Sequence, residues 1–368
     1  MAMKLREMHP VLIKNYLAGI NTFFRGKPAL GKTETIEAFV AKMQTRIEGF
    51  RGWYFYAPTM SPMDIQASAP DTESGLLRLY NNEALPNAYR DPDLKGVLFI
   101  GELPNADPAT AKLLQKYVNG EDMSGVLRKP KGVVVVADGN RMEDKSGVQQ
   151  QGRAFLSRFE QHEVYSEATD NIEYAARHAW HPMVQTFFKE NVALIDNYDE
   201  VFQTGSAVAQ ATPGSRDKMS EEGKLGVWAS MRSWERMSKK EYIAEEIDSP
   251  VTLSECVGNL GSGVGAAYDA HKRAINQLVS FDTIMADPAT APIPGKMDEQ
   301  FAVSVIVALR CREDQMPKVR IFGERMPLEF QAVILRQMSA RKNFEFGSSS
   351  AYVEWISNPT LSKLLNGR

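Results

Sequence analysis

The amino-acid sequence predicts an α/β fold in which a parallel β-sheet is sandwiched by helices and followed by a mostly helical region. Three observations lead to this prediction. In the first half of the 368-residue chain, short apolar runs alternate with segments of helical spacing, as in a parallel sheet. The runs are apolar throughout, which indicates strands covered on both faces. After about Tyr165, valine-rich runs become scarce, and Met, Ala, Lys and Glu dominate.

Four short runs, each rich in aromatic or β-branched residues and followed by a turn or polar signal, are the predicted strands. They are residues 22–24, 53–56, 97–100 and 133–136. Apolar residues at helical spacing predict helices over residues 33–47, 108–118, 224–236, 264–279 and 329–341. A further β-like run covers residues 301–309. Two segments rich in Pro, Gly, Ala and Ser are predicted connectors, residues 211–217 and 286–295.

This change of character divides the chain into three predicted parts. Residues 1–166 are expected to form the α/β domain, residues 167–275 a helical unit and residues 276–368 a mostly helical extension. A chain of this length is long for one hydrophobic core and suits two or three packed units.

Composition narrows the class of protein. Hydrophobic residues make up 43% and charged residues 24%, which is typical of a globular protein. The net charge of -3 does not favour non-specific nucleic-acid binding, although a local basic loop would escape this count. Cys256 and Cys311 are the only cysteines, so a disulfide framework or zinc site is not expected. With no signal-peptide core and no membrane-length apolar run, we expect a cytoplasmic protein.

The predicted chemistry begins with a glycine-rich loop between the first strand and the helix after it. The pattern is G-x-x-x-x-G-K-[ST], in which backbone N–H groups wrap around phosphate oxygens, the Lys reaches the β- and γ-phosphates and the hydroxyl ligates Mg²⁺. A chance turn before a helix is the alternative, but the flanking strand and helix favour phosphate binding. The candidate binding residues are Gly26, Lys27, Pro28, Ala29, Leu30, Gly31, Lys32, Thr33 and Glu34, with Thr33 as the metal ligand.

Two later strands end in polar residues that suit a nucleotide site. After the run ending at Ile100, the carboxylate of Glu102 can orient or deprotonate an attacking water, although a plain strand-end acid is the alternative. After the run ending at Val136, Asn140 is the candidate for contact with the γ-phosphate or the water. Taken alone, Asn140 would be a turn residue, because Asp-Gly and Gly-Asn are ordinary turn pairs.

The order of these motifs resembles that of the AAA+ ATPases, and within them the MoxR-like branch of bacteria and phages. The segments that carry the resemblance are residues 26–33, 97–108, 137–144, 156–159 and 231–235, the last being similar to the family signature Thr-Pro-Arg-Ser-Trp-Glu. The resemblance covers most of the chain, most strongly up to about residue 275. It implies an AAA+ core with a P-loop NTPase sheet, then an α-helical lid and a mostly helical C-terminal extension. Residues 63–86 are similar to the helix-2 insert of this branch, which commonly lines a central pore or meets a partner.

The resemblance implies roles in the nucleotide pocket, with ATP and Mg²⁺ as the ligands. Lys32 and Thr33 correspond to the Walker A pair, Glu102 to the Walker B catalytic base and Asn140 to sensor 1. These four residues are therefore expected to meet around the phosphates.

Three arginines are further candidates. Arg153 and Arg158 lie five residues apart, and an arginine delivered to a neighbour's γ-phosphate stabilises transition-state charge. Taken alone, each would be a solvated or ion-paired arginine. The resemblance makes Arg158 the better match to the arginine finger and Arg153 the second candidate. Arg232, close to an anchoring Trp234, corresponds to sensor 2, which reaches from the lid to the nucleotide of its own subunit.

The sequence departs from the family pattern at two positions. Gly101 stands where the pattern has the Walker B Asp, so Mg²⁺ is expected to rely on Thr33 and the phosphates, and turnover is expected to be slow or conditional. Ala29 replaces the usual second loop glycine, a change expected to cost less because Ala can adopt a negative φ.

The leading function is therefore an ATP-binding and ATP-hydrolysing ring protein, a hexamer by resemblance, that remodels or chaperones a protein client. A von Willebrand A-type protein is the partner that the resemblance implies. A nucleotide-gated assembly or binding module with little hydrolysis is the first alternative, favoured by Gly101. A DNA-associated motor or loader is the second, and the acidic net charge argues mildly against it.

Three other features are interpreted as structural. Residues 261–266 resemble a dinucleotide-binding loop but follow a helical region, so we predict a turn that leads into a helix. His178 and His181 are predicted to be a surface pair, since no third metal ligand is near in sequence. The aromatic run at residues 53–56 is predicted to pack in the core because it lies in a strand.

Overall fold

A computed structural model of the chain describes residues 2–141, 144, 153–203, 227–275, 278–339 and 346–365, with the backbone alone at 153, 154, 203 and 298. Its contacts divide the chain into two compact units, Met1–Glu167 and Ala168–Arg368. The strands that follow belong to the first unit, and the second unit is helical in its described part.

The described part of the first unit contains eight strands: β1 Ala2–Lys4, β2 Thr22–Arg25, β3 Phe50–Tyr56, β4 Gln66–Asp71, β5 Leu76–Asn81, β6 Lys95–Gly101, β7 Val133–Gly139 and β8 Glu160–Tyr165. Six of them form a parallel sheet in the order β1-β8-β2-β7-β6-β3. Strand β7 thus lies directly between the strand that enters the glycine-rich loop, β2, and the strand that precedes Glu102, β6. Since all six strands run the same way, these strands end at one edge of the sheet.

Helices cover both faces of this sheet. The helices of the first unit are α1 Met8–Ala18, α2 Lys32–Gln44, α3 Pro108–Val118 and the short α4 Arg153–Leu156. Phe24, Val97 and Val136 point to the side of α1 and α2, in one core cluster with Ile36 and Phe39. A second core cluster on the opposite face includes residues of the same strands and of α3: Phe23, Leu98, Ile100, Val135, Ala137 and Leu114. The predicted fold class, a parallel sheet sandwiched by helices, is confirmed.

Strands β4 and β5 form a separate antiparallel hairpin within the segment predicted to be an insert. Leu76, Leu77 and Tyr80 on β5 are exposed by half of their surface or more. The hairpin contributes nothing to the main sheet.

The second unit contains twelve described helices: α5 Ala168–Arg177, α6 Pro182–Glu190, α7 Tyr198–Gln203, α8 Met231–Glu246, α9 Leu253–Leu260, α10 Ser262–Ile275, α11 Phe281–Ala286, α12 Met297–Arg310, α13 Met316–Glu324, α14 Leu328–Ser339, α15 Ser350–Ile356 and α16 Pro359–Leu365. Trp234 on α8 is fully buried, and its indole N–H donates to the carbonyl of Ile195. One hydrophobic cluster joins α5, α6, α8, α9 and α10 around this tryptophan, and a second joins α11 to α16 around Trp355.

The structure corrects several predictions of secondary structure. Residues 301–309, predicted as β-like, lie within helix α12. Strands β1 and β8 and the β4–β5 hairpin were not predicted. The predicted connector at residues 211–217 lies outside the described residues. Of the described helices, none combines the length and the apolar character that a membrane span requires.

Candidate functional site

The glycine-rich loop joins β2 to α2 and folds with two residues in left-handed backbone conformations. Ala29 has a φ of 58° and Gly31 a φ of 92°. Gly31 is the N-cap of α2, and it has no side chain with which to cap the N–H groups of the first helical turn. N–H groups of a first helical turn have no partners within the helix, so they suit an anion, which the positive end of the helix dipole also favours.

The backbone at Ala29 contradicts the expectation from the sequence. Its φ is positive, so the alanine does not escape the cost of replacing glycine. A non-glycine residue in this conformation costs on the order of 1 kcal/mol. The loop therefore holds a strained residue close to Gly31, at the start of α2.

A glycine is required at position 26 for a different reason, because strand β8 leaves no room there for a side chain. A Cβ atom at Gly26 would lie 2.6 Å from the carbonyl oxygen of Val164 on β8. The backbone N–H of Gly26 also donates to the carbonyl of Gly139, at 3.3 Å, at the end of β7. The start of the loop is thus fitted against the ends of both strands that flank β2.

Lys32 lies buried beneath the loop with 6% of its surface exposed. Its Nζ donates hydrogen bonds to the carbonyls of Gly26 and Lys27, at 3.0 and 2.9 Å. Burial lowers the pKa of Lys32, and the negative charges of Asp138 and Glu102 oppose this shift. The ammonium group therefore lies between the loop and a group of carboxylates.

Asp138 on β7 connects helix α2, which follows the loop, to the end of strand β6. Thr33 Oγ1 donates a hydrogen bond of 2.9 Å to Oδ2 of Asp138, and the backbone N–H of Glu102 donates one of 2.9 Å to Oδ1. The carboxylate is 4% exposed, whereas Thr33 is exposed. Since β7 adjoins both β2 and β6, its tip is the position from which one side chain can reach both.

The side chain of Glu102 is held by two amides. Nδ2 of Asn140 donates to both carboxylate oxygens, at 3.2 and 3.3 Å, and Nδ2 of Asn105 donates to Oε2 at 3.2 Å. Glu102 itself has a φ of 53°, a conformation that non-glycine residues seldom adopt outside functional sites. The carboxylate is therefore fixed in orientation at the same sheet edge as Thr33.

The chain after Asn140 adds a further charge near the loop. Arg141 Nη2 lies 2.8 Å from Oδ1 of Asp144, whose side chain is fully buried. The charge of Asp144 also opposes the lowered pKa of Lys32, which places it close to the ammonium group. Glu143, which belongs to the same sequence motif, lies outside the described residues.

The donor set suits Mg²⁺ that arrives with a nucleotide. In the described ranges, no three His, Cys, Asp or Glu side chains gather into a metal site of their own. Mg²⁺ commonly takes one or two protein oxygens and completes its shell with water and phosphate oxygens. The hydroxyl of Thr33 and the carboxylate of Asp138 are hard oxygen ligands of this kind, 2.9 Å apart.

The structure brings some predicted residues together and leaves others apart. Lys32, Thr33, Glu102 and Asn140 meet at one edge of the sheet. Arg158 is on the surface of the first unit, where Nε donates to Oδ1 of Asn119 at 2.8 Å.

Arg153 and Arg232 are the other two candidate arginines. The side chain of Arg153 lies outside the described residues. Arg232 is an exposed residue on α8 of the second unit. The assignments of Arg153, Arg158 and Arg232 stay predictions.

Asp138 and Asn105 are the site residues that the sequence reasoning did not assign. In the sequence, Asp138 and Gly139 form an ordinary turn pair. The available signal was its position at the tip of a strand, two residues before Asn140, with the same alternation as Val134 and Val136. That alternation places its side chain on the face covered by α2.

The features interpreted as structural gave mixed outcomes. Gly261 forms the turn before α10, as predicted. His178 is exposed, but His181 is buried and its ring accepts a hydrogen bond from the N–H of Met183, so the predicted surface pair is wrong. On edge strand β3, Tyr54 and Tyr56 are 49% and 53% exposed, so the prediction of core packing is wrong for these two.

Comparisons with known proteins add little beyond the fold. No protein-family model and no curated protein matches the sequence. A candidate ATPase from Cytophaga hutchinsonii is similar in structure, with 16% identity and a TM-score of 0.34 over 48% of this chain and 51% of that one. NtrX from Brucella abortus is similar with 13% identity and a TM-score of 0.38, over 100% of this chain and 68% of that one.

A single-residue variant of RuvB from Thermotoga maritima is similar at 13% identity and a TM-score of 0.35, over 77% of this chain and 75% of that one. The chain spans about half the length of the Cytophaga protein. Because these identities and TM-scores are low, arguments about function rest on this chain's own residues.

Proposed function

We propose that this chain binds ATP with Mg²⁺ and hydrolyses it to ADP and phosphate. The observation that carries the proposal is the chain of contacts from Thr33 through Asp138 to Glu102, with Asn140 on the carboxylate. It joins a phosphate-binding loop to a fixed carboxylate at one edge of a parallel sheet, where ligands of such folds bind.

Different residues of the site suit different phosphates of the nucleotide. The N–H groups of the loop and of the first turn of α2 suit the β-phosphate, and the ammonium of Lys32 suits the charge of the γ-phosphate. To reach the phosphates, Lys32 exchanges its hydrogen bonds to the carbonyls of Gly26 and Lys27 for phosphate oxygens. A bound Mg²⁺ neutralises negative charge on the β- and γ-phosphates, and the Thr33 hydroxyl is the loop residue suited to hold it.

Glu102 is suited to activate the attacking water. The water oxygen bonds to the γ-phosphorus as the bond from phosphorus to the β–γ bridging oxygen breaks, and ADP leaves with that electron pair. The water proton passes to the carboxylate of Glu102. Asn140 and Asn105 hold that carboxylate in a fixed orientation, so the carboxylate needs little reorientation during the reaction.

A more specific proposal for the function is a MoxR-like AAA+ ring in the cytoplasm that remodels a protein client. Its support is the order of motifs in the sequence and the surface position of Arg158 on the first unit. A trans arginine, Arg158 or Arg153, is useful only if a neighbouring subunit supplies it, so the assignment requires assembly, as a hexamer by resemblance. Arg232 stays the sensor 2 candidate that the resemblance implies, and a von Willebrand A-type protein is the expected client.

Nucleotide binding and assembly are tested together. Isothermal calorimetry with ATP and Mg²⁺ is expected to show binding by the wild-type chain and at least about a tenfold loss of affinity in Lys32→Ala. Mass measurement with ATP, ADP and no nucleotide is expected to show a ring in ATP. A monomer in all three conditions contradicts the trans arginine, and equal ATP affinity in Lys32→Ala contradicts the nucleotide site.

A nucleotide-gated assembly module with little hydrolysis is the second candidate, and Gly101 is the observation that favours it. In that case ATP organises the ring, and the ring binds a partner without turnover. Ring formation in ATP with no phosphate release would support this candidate over an ATPase.

A further inference from the structure

We propose that Asp138 supplies the metal-side carboxylate of the nucleotide site, in place of the strand-end acid whose position is taken by Gly101. The inference rests on the proposed function, because it concerns the same site. In this proposal the metal-side carboxylate lies on β7 and not on the neighbouring strand β6.

The register of the sheet places the two positions side by side. Strands β6 and β7 pair in parallel, with Phe99 opposite Val136 and Ile100 opposite Ala137. The next residues in this register are Gly101 and Asp138. Because side chains alternate along a strand, both positions share the face of Phe99 and Val136, which packs against α2. A side chain at either position is therefore directed to the side of the sheet that carries Thr33.

Asp138 is one strand closer to the glycine-rich loop than position 101. Its partner on β2 is Phe24, whereas β6 makes no pair with β2 in this sheet. Neighbouring strands lie about 4.8 Å apart, so a carboxylate on β6 has that much farther to reach. From β7, Asp138 makes a direct 2.9 Å contact with the Thr33 hydroxyl.

The absence of a side chain at Gly101 is not explained by lack of space. A Cβ atom there would meet ring atoms of Phe99 and Tyr56 at 3.5 Å, which is ordinary contact, and its φ is not in the left-handed region. An Asp at position 101 would, however, stand beside Asp138. Two adjacent carboxylates repel, and one of them tends to keep its proton. The combination of a glycine at position 101 with Asp138 on β7 is thus an alternative to the arrangement with the acid on β6.

Asp138 also accepts the backbone N–H of Glu102, so a purely structural role must be separated from a metal role. A structural role would change nucleotide binding equally with and without Mg²⁺. A metal role changes the Mg²⁺ concentration that binding requires and leaves binding in EDTA little changed.

The test is a titration of Mg²⁺ against the fluorescent nucleotide mant-ADP, which is not hydrolysed. The proteins are the full-length wild type, Asp138→Asn, Asp138→Thr, Gly101→Asp and the double variant Gly101→Asp/Asp138→Asn. Asp138→Thr keeps an oxygen acceptor for the Glu102 N–H, and circular dichroism checks that each variant is folded.

We expect Asp138→Asn and Asp138→Thr to raise the Mg²⁺ midpoint about tenfold or more, with mant-ADP affinity in EDTA within about threefold of wild type. The double variant is expected to return the midpoint to within about threefold of wild type, because its acid stands at position 101. Gly101→Asp alone is expected to change the Mg²⁺ midpoint from that of the wild type, since it places two carboxylates side by side.

An unchanged Mg²⁺ midpoint in folded Asp138→Asn or Asp138→Thr overturns the inference, as does a Gly101→Asp variant that matches wild type. If Asp138→Asn and Asp138→Thr both fail to fold, Gly101→Asp decides alone. Failure of the proposed function has a different outcome, namely no mant-ADP binding by the wild type with or without Mg²⁺.

Discussion

Thr33 and Asp138 are joined by a hydrogen bond of 2.9 Å between the first turn of α2 and the tip of β7. The two residues are 105 positions apart in the chain, and the parallel order of β2 and β7 brings them together. The same carboxylate accepts the N–H of Glu102. One side chain thus sets the position of helix α2 relative to Glu102, the proposed catalytic acid.

Gly26→Ala is predicted to damage nucleotide binding. The added Cβ would lie 2.6 Å from the carbonyl of Val164, so the loop or strand β8 must shift. We expect a fall in ATP affinity of about tenfold or more, measured by calorimetry. Gly258→Ala is the control, since its Cβ meets open space within α9 and should leave affinity unchanged. Equal affinities in the two variants would contradict the stated role of the close approach.

Asn140→Ala is predicted to slow hydrolysis without weakening nucleotide binding. Its amide donates to both oxygens of the Glu102 carboxylate, so its loss frees the acid to rotate. We expect kcat to fall about tenfold or more, with the ATP dissociation constant within about threefold of wild type. Asn105→Ala, which removes one donor to the same carboxylate, should have a smaller effect. An unchanged kcat in Asn140→Ala would show that the orientation of Glu102 is set by other contacts.

The buried ion pair of the second unit provides a prediction about stability. Lys272 Nζ lies 2.7 Å from Oε1 of Glu241 and donates to the carbonyl of Val251, and both charged side chains are less than a tenth exposed. Lys272→Met leaves a buried carboxylate without its cation, which costs about 3–5 kcal/mol. We expect a marked fall in Tm. The double variant Glu241→Leu/Lys272→Met should recover most of it, and a double variant less stable than Lys272→Met would contradict this account.

His271 on α10 is predicted to make the second unit acid-sensitive. Burial lowers the pKa of His271 to about 4, although the carboxylate of Glu190, which is 30% exposed and so partly screened, lies 3.0 Å from Nδ1. The folded unit thus holds the neutral imidazole, whereas the unfolded chain takes up a proton near pH 6.5. Stability from this group is present above pH 6.5 and is lost as the pH falls towards 4, by about 2 kcal/mol at pH 5.

Thermal melts between pH 7.5 and 5 measure this loss. His271→Gln should show a smaller fall in Tm over the same range, because glutamine does not titrate. Parallel falls in wild type and His271→Gln would assign the acid sensitivity to other groups.

The sequence predicted four of the six strands of the main sheet, namely β2, β3, β6 and β7. These four are apolar runs, and such runs are visible without any knowledge of their neighbours. β1 is three residues long, and β8 carries Glu160, Gln161 and Glu163, so neither has the composition of a buried strand. Residues 301–309 are apolar enough for a strand, but they continue a helix of 14 residues, and short apolar runs do not distinguish the two.

The sequence provides candidate site residues where they lie in local motifs, and it leaves out those whose position depends on sheet order. The glycine-rich loop is one contiguous motif, so Lys32 and Thr33 are candidates from the sequence alone. The proposed role of Asp138 depends on β7 lying between β2 and β6, a tertiary relationship that no local pattern contains. The positive φ of Ala29 was missed because it arises from the whole loop, whereas the sequence argument considered the intrinsic preference of alanine.

Phosphate release from ATP is the measurement that tests the central claim most directly. With Mg²⁺ present, we predict release by the wild-type chain above the level of Lys32→Ala. Glu102→Gln keeps the shape of the side chain but cannot accept the water proton, so it should bind ATP and lose at least about 100-fold in rate. Wild-type release no greater than that of Lys32→Ala, or an undiminished rate in Glu102→Gln, would contradict the assignment of this site as an ATPase centre.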